Sequence, residues 1–211
     1  MLPKYHGDQN WLAALLDWIA GPTIAASCSR YGFNCAFLLQ LGLPALAILV
    51  MREKFRHFGL GLGDVKRGLL LSLLFCVLYI PCFLVLFANP SFQEYYSGIA
   101  KRYATWSEFL TREVVLVTLL CIRTEFLYRG FLLFGIQKEY GPYAGVLVQV
   151  IPYVLAHAGK AELEALGSLP VGLALGYLAV RTGSIWYGAV LHGSIALLFN
   201  ALILFRHFHH Y

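Results

Sequence analysis

Long apolar runs are the feature that most constrains how this chain can fold. The clearest run extends from Gly68 to Ala88, and others extend from Phe33 to Met51 and from Ile185 to Phe205. A helix of about 20 mostly apolar residues is long enough to cross the hydrocarbon core of a bilayer. The sequence therefore predicts an all-α fold, a polytopic transmembrane helical bundle.

Composition supports this prediction and excludes an ordinary soluble domain. Of the 211 residues, 59% are hydrophobic and only 13% are charged, and the mean hydropathy is +0.68. Little chain is left for a second domain, so we expect one membrane domain over residues 1–211. It would contain about six spans and an N-terminal interfacial helix, Trp11 to Ala26. The three remaining predicted spans are a long helix from Ser107 to Tyr140, then Tyr143 to Ala158 and Leu166 to Val180.

The formal net charge of +5 comes mainly from basic residues near helix ends. Five of them crowd one short loop, which the positive-inside rule places in the cytoplasm: Arg52, Lys54, Arg56, Lys66 and Arg67. No continuous basic tract or nucleic-acid-binding module is visible. We therefore expect the lipid bilayer, and not a nucleic acid, as a partner.

Ionisable residues inside the apolar helices mark the candidate site. Glu125 and Arg129 stand four residues apart, so on a helix their carboxylate and guanidinium can pair. His157 and His192 lie in two other apolar segments. Because charges inside a membrane are costly and usually functional, these four residues predict a site where three segments meet.

Three chemistries fit two histidines and a glutamate in a membrane. A carboxylate and an imidazole can activate water for hydrolysis. Two histidines and a glutamate can also bind zinc with an open position for water, although no His-Glu-x-x-His helix is present. A proton relay in a transporter uses the same residue types. Spacing alone leaves these three open.

Three sequence blocks resemble a known family. They are Glu-Phe-Leu-Tyr-Arg-Gly (125–130), Tyr-Val-Leu-Ala-His (153–157) and Arg-Thr-Gly-Ser-Ile-Trp-Tyr-Gly-Ala-Val-Leu-His (181–192). Their order is similar to the motifs Glu-Glu-x-x-x-Arg, Phe-x-x-x-His and His-x-x-x-Asn/Asp of the CPBP (ABI) intramembrane proteases. That family includes the CAAX prenyl protease 2 endopeptidases. The resemblance implies a catalytic core over about 107–205.

Two positions depart from the family pattern. Thr124 replaces the leading glutamate of the first motif, and Ala196 replaces the Asn/Asp of the third. The chain also resembles a bacterial subgroup with a single glutamate and a His-x-x-Lys-x-x-x-Glu extension, here His157, Lys160 and Glu164. A solvated ion pair at the membrane edge is the alternative reading of Lys160 and Glu164.

The resemblance implies a role for each site residue. Glu125 would be the base and Arg129 would hold it, while His157 helps to activate water and His192 stabilises the oxyanion. Ser194 and Asn200 are candidates to replace the missing Asn, although Asn200 lies about 12 Å beyond His192 along a helix axis.

The sequence thus predicts an intramembrane endopeptidase that cleaves near the C-terminus of a membrane-associated protein or peptide. It would need no cofactor, with zinc as the less favoured option, and would be an integral protein of the bacterial inner membrane. The alternative is a catalytically inactive relative that binds or chaperones a membrane partner.

Overall fold

The computed structural model describes residues 37–100 and 103–209, without the side chains of residues 99 and 100. All regular elements within these ranges are helical, which confirms the predicted all-α class. The predicted interfacial helix, Trp11 to Ala26, lies outside the described residues. The α-helices are α1 (Leu43–Val50), α2 (Val65–Ala88), α3 (Pro90–Ala100), α4 (Trp106–Glu125), α5 (Gly135–Leu155), α6 (Glu162–Thr182) and α7 (Trp186–His209).

The chain divides into two compact units, Met1–Glu53 and Lys54–Tyr211. In the described part of the first unit, a π-helical turn, Leu38–Gly42, continues into α1 to form an apolar helix, Leu38–Val50. This helix occupies most of the first predicted span. A single membrane domain over residues 1–211 stays a prediction.

In the second unit, α2, α6 and α7 are long and apolar enough to cross a membrane. The helices α2 and α6 contain the predicted spans Gly68 to Ala88 and Leu166 to Val180, and α7 covers the predicted span Ile185 to Phe205 except for its first residue. Only 6% of the most apolar part of α2 is buried inside the protein, as expected for a helix that faces lipid. The count of about six spans stays a prediction, because α4 carries several charged residues and α5 contains a kink.

The predicted long helix from Ser107 to Tyr140 is confirmed in extent, but it is not α-helical throughout. It begins as α4, where the side chain of Thr105, and not that of Ser107, accepts a hydrogen bond from the backbone N–H of Glu108. After Glu125 the chain forms a π-helical segment, Phe126–Phe134, before α5 begins. Such π-helical insertions are frequent at functional sites.

Gly141 ends the long helical stretch that begins at Trp106, as predicted. Its φ of 83° and ψ of 168° lie in a region that is essentially restricted to glycine. After Gly141 the chain turns back towards the π-helical segment. A Cβ built on Gly145 would lie only 2.7 Å from the carbonyl oxygen of Leu133. The second part of α5 therefore packs tightly against the π-helical segment.

Glycines on α6 allow a close contact with α5. A Cβ on Gly172 would lie 2.8 Å from side-chain atoms of Tyr153 and Val150, and a Cβ on Gly176 would lie 2.8 Å from Nε2 of Gln149. All three contacted side chains belong to α5. The small-x-x-x-small pattern thus brings the backbones of α5 and α6 together.

The turn between α6 and α7 is fastened by the segment that precedes α2. The N–H of Asp64 donates to the carbonyl of Thr182 (2.9 Å), and the N–H of Ile185 donates to the carbonyl of Gly59 (3.0 Å). The indole N–H of Trp186 donates to the carbonyl of Leu60 (2.9 Å). These bonds fix the start of α7, six residues before the candidate site residue His192.

Candidate active site

Glu125 and Arg129 form a fully buried ion pair where α4 passes into the π-helical segment. Nη1 of Arg129 lies 3.0 Å from Oε1 of Glu125, and both side chains have an exposed fraction of 0%. The pairing predicted from their four-residue spacing is confirmed. A carboxylate paired with a guanidinium can remain charged where an isolated one could not.

Arg129 is held from two further directions. Its Nη2 donates to the carbonyl of Gly172 (3.4 Å), and its Cζ lies 4.2 Å from the centre of the Tyr153 ring. The same Gly172 carbonyl accepts a hydrogen bond from Nε2 of Gln149 (3.0 Å). Gln149 is a fully buried polar residue on α5 that the sequence analysis missed.

His192 joins the third motif to the first. Its Nδ1 lies 3.1 Å from Oε1 of Glu125, the oxygen that also faces Arg129. One turn earlier on α7, Gly188 faces the carboxylate, and a Cβ at this position would lie 2.8 Å from Oε2 of Glu125. A glycine here leaves the space that the carboxylate occupies. The side chain of His192 is 22% exposed whereas that of Glu125 is sealed, so the imidazole is the more accessible member of the pair.

His157 lies in the turn after α5, and Tyr153 connects it with Arg129. Nδ1 of His157 lies 2.8 Å from the carbonyl oxygen of Tyr153. The His157 and Tyr153 rings are 4.6 Å apart, and the Tyr153 ring also contacts the Arg129 guanidinium. The structure therefore brings together residues of all three predicted motifs.

The proposed supporting residues fall into different environments. Lys160 and Glu164 form an ion pair of 2.7 Å, and the hydroxyl of Tyr96 donates to the same carboxylate. Thr124 is half-buried next to Glu125, and Ser194 is exposed on α7. Lys160 and Glu164 thus belong to a network with a third residue, beyond the simple solvated pair that was the alternative reading.

Asn200 is directed elsewhere. Its Nδ2 donates to Oε1 of Glu113 (2.7 Å), and the hydroxyl of Tyr103 donates to the other carboxylate oxygen. All three side chains are buried. The sequence analysis missed Glu113, although it is an ionisable residue in an apolar helix, the signal that identified Glu125. This second cluster ties α4 to α7 and engages the amide that was considered as a replacement for the missing Asn.

The described residues do not form a metal centre by themselves. Within residues 37–100 and 103–209, no three His, Cys, Asp or Glu side chains converge in a way that could hold a metal ion. Glu125 instead directs Oε1 towards a guanidinium and an imidazole. The donor set as arranged does not fit a zinc site of three protein ligands.

The fold and the site define a class: an integral membrane protein of apolar helices with a buried Glu–Arg–His centre. Residues 105–198 match the family model described as type II CAAX prenyl endopeptidase Rce1-like. The match confirms the predicted relationship to the CPBP/CAAX protease family over this segment, which contains Glu125, Arg129, His157 and His192. The bacterial single-glutamate subgroup stays a prediction. No curated protein and no solved structure matches the chain.

Proposed function

We propose that this protein is an intramembrane endopeptidase that hydrolyses a peptide bond near the C-terminus of a membrane-associated protein or peptide. One observation carries the proposal: Oε1 of the sealed Glu125 is bonded to both Arg129 and His192. A buried carboxylate that orients a partly exposed imidazole is a recurring arrangement for general acid–base catalysis. The family match supports the reaction class.

His192 is the proton carrier in this proposal. Its Nδ1–H donates to Glu125, which leaves the lone pair of Nε2 to accept a proton from water. The water oxygen attacks the carbonyl carbon of the substrate while its proton moves to Nε2. When the C–N bond breaks, Nε2 returns the proton to the leaving amine, and the products are a carboxylate and an amine. Glu125 stabilises the intermediate imidazolium.

This assignment changes two of the roles that the family resemblance implied, those of Glu125 as the base and of His192 as the group that stabilises the oxyanion. Glu125 as the direct base requires water to reach a carboxylate whose exposed fraction is 0%. With His192 between Glu125 and the exposed side, the carboxylate acts through the imidazole. Arg129 holds the carboxylate in place, as the resemblance implied.

His157 orients the attacking water. Its Nδ1 must carry the proton, because the carbonyl of Tyr153 can only accept a hydrogen bond. Nε2 then presents a lone pair to a water O–H. His157, in the turn after α5, and His192, on α7, would thus face the same water with fixed tautomers, and no metal is needed for this step.

Zinc is the less favoured option, and it has its own test. Elemental analysis of the purified protein, together with cleavage in the presence and absence of a chelator, distinguishes a zinc-dependent mechanism from a metal-free one. We expect less than one metal ion per ten chains and unchanged cleavage with chelator. Stoichiometric zinc, with activity lost on chelation and restored by zinc, would contradict the metal-free proposal.

One comparison of proteomes identifies both the substrate and the membrane in which it is cleaved. Membrane proteomes of cells that carry the wild type or the Glu125→Gln variant are compared by mapping C-terminal peptides. We expect an uncut precursor to accumulate only with the variant, in the bacterial inner membrane. Identical proteomes, combined with a phenotype of the full deletion, would instead favour an inactive relative that binds or chaperones a membrane partner. Thr124 and Ala196, which depart from the family motifs, are the observation behind that alternative.

A further inference from the structure

The turn that carries His157 is held in place by hydrogen bonds from α3, a short helix outside the three sequence motifs. Two adjacent tyrosines of α3 contact this region. The hydroxyl of Tyr95 donates to the carbonyl of Gly159 (3.2 Å), and the hydroxyl of Tyr96 donates to Oε2 of Glu164. These contacts lie on both sides of Lys160 in the sequence.

Glu164 connects Tyr96 with Lys160, which in turn contacts His157. Its Oε1 lies 2.7 Å from Nζ of Lys160, so each carboxylate oxygen has a different partner. The backbone N–H of Lys160 donates to the carbonyl of His157 (3.2 Å). A continuous set of contacts thus runs from α3 to the imidazole-bearing residue.

Tyr96 is suited to act as a fixed donor. Its side chain packs among aromatic rings, 5.1 Å from the Phe92 centroid and 4.8 Å from the Phe199 centroid. Burial first, and then the charge of Glu164, raise the pKa of the Tyr96 phenol above its usual range. The hydroxyl therefore keeps its proton and continues to donate to the carboxylate.

We propose that Tyr96 is a positioning residue for His157: it fixes Glu164, and the Glu164–Lys160 pair fixes the turn that presents the imidazole. This inference rests on the proposed function, because His157 orients water only there. The contacts of Tyr96 are with Glu164 and with neighbouring aromatic rings. Its loss should therefore disturb the geometry of the chemical step more than substrate binding.

The first test uses the full-length protein in liposomes, with the precursor that accumulates in Glu125→Gln cells as substrate. For Tyr96→Phe we expect kcat to fall about tenfold or more with KM nearly unchanged, since small misplacements of reacting groups cost up to about a hundredfold in rate. Glu164→Gln should behave alike, and the double variant should be no slower than the slower single variant. Tyr177→Phe, at an exposed tyrosine on α6, is the matched control and should cleave as the wild type does.

A second readout needs no substrate. In protein labelled with ¹⁵N-histidine, the His157 ring signals, assigned by their loss in His157→Gln, report the tautomer and surroundings of the ring. We expect Tyr96→Phe and Glu164→Gln to shift and broaden these signals, and Tyr177→Phe to leave them unchanged.

The outcomes separate this inference from the proposed function. If the wild type cleaves nothing, the proposed function fails, and the ring signals still test the contact between Tyr96 and the His157 turn. Unchanged ring signals in Tyr96→Phe would overturn the inference, as would wild-type kcat or fully multiplicative losses in the double variant.

Discussion

Glu125 and His192 share a hydrogen bond of 3.1 Å between Oε1 and Nδ1, although 67 residues separate them in the sequence. The same carboxylate oxygen faces Nη1 of Arg129 at 3.0 Å. One atom therefore connects the first and third motifs. This atom lies in a sealed environment, where electrostatic interactions are stronger than in water. The site consequently depends on how α4 and α7 are held together.

Removal of the Arg129 charge should leave Glu125 buried without its main counter-charge. We expect Arg129→Met to destabilise the folded protein by about 3–5 kcal/mol, the range for breaking a buried ion pair from one side. Thermal unfolding of the purified protein in detergent measures the change. The double variant Arg129→Met with Glu125→Gln should recover part of the loss, because it removes both charges.

The chain offers a matched control for this prediction. Arg112 and Glu108 also stand four residues apart on α4, but their side chains are 64% and 33% exposed. Arg112→Met should have a much smaller effect, because exposed pairs contribute little to stability. Equal destabilisation by Arg112→Met and Arg129→Met would contradict the importance of burial.

Gly188 should be required for the position of the Glu125 carboxylate. A Cβ at position 188 would lie 2.8 Å from Oε2, so Gly188→Ala must displace the carboxylate or α7. We expect cleavage to slow by at least about tenfold, since a shift of 1 Å can cost up to about a hundredfold in rate. The control on the same helix is Gly193→Ala, whose Cβ would make an ordinary contact of 3.9 Å with Cys121. Similar rates for both variants would contradict the geometry.

Gly172 should be needed for the contact between α5 and α6. Gly172→Ala introduces a Cβ 2.8 Å from atoms of Tyr153 and Val150, and such overpacking costs about 1–3 kcal/mol. At Gly167, on the same helix, nothing lies within 4 Å of an added Cβ. Gly167→Ala should therefore be neutral or stabilising. Unfolding midpoints in detergent compare the two, and equal midpoints would argue against close packing at Gly172.

Asn200 should contribute to stability and not to the chemical step. Asn200→Leu removes the donor to Oε1 of the buried Glu113, and an unsatisfied buried acceptor costs about 1–3 kcal/mol. We expect a lower unfolding midpoint with little change in cleavage rate per folded molecule. If cleavage fell while stability stayed the same, Asn200 would instead reach the reacting atoms, as the sequence analysis considered.

The spans and breaks of this fold could be predicted from local sequence. Gly141 ended the predicted helix because its conformation excludes other residues, and Asn89 separates α2 from α3 where Pro90 follows. The π-helical segment could not be predicted, because its apolar residues fit an ordinary helix equally well. The N-terminal cap was placed two residues late, since Ser107 and Thr105 are both suitable cap residues.

The site could be predicted only where spacing determines contact. Glu125 and Arg129 meet because they are one turn apart. Asn200 was considered as a replacement for the missing Asn, but its partner, Glu113, depends on how α7 packs against α4. Tyr96 and Gln149 carry no local signal, since their contacts with Glu164 and Gly172 exist only in the folded protein.

Cleavage by purified protein in liposomes, in water enriched in ¹⁸O, tests directly whether Glu125 and His192 hydrolyse a peptide bond. The substrate is the precursor that accumulates in Glu125→Gln cells. We expect the wild type to release a C-terminal fragment and to place one ¹⁸O atom in the new carboxylate. Glu125→Gln should slow this release by at least about a hundredfold, because it leaves His192 without its charged partner. Cleavage by Glu125→Gln at the wild-type rate would contradict the account.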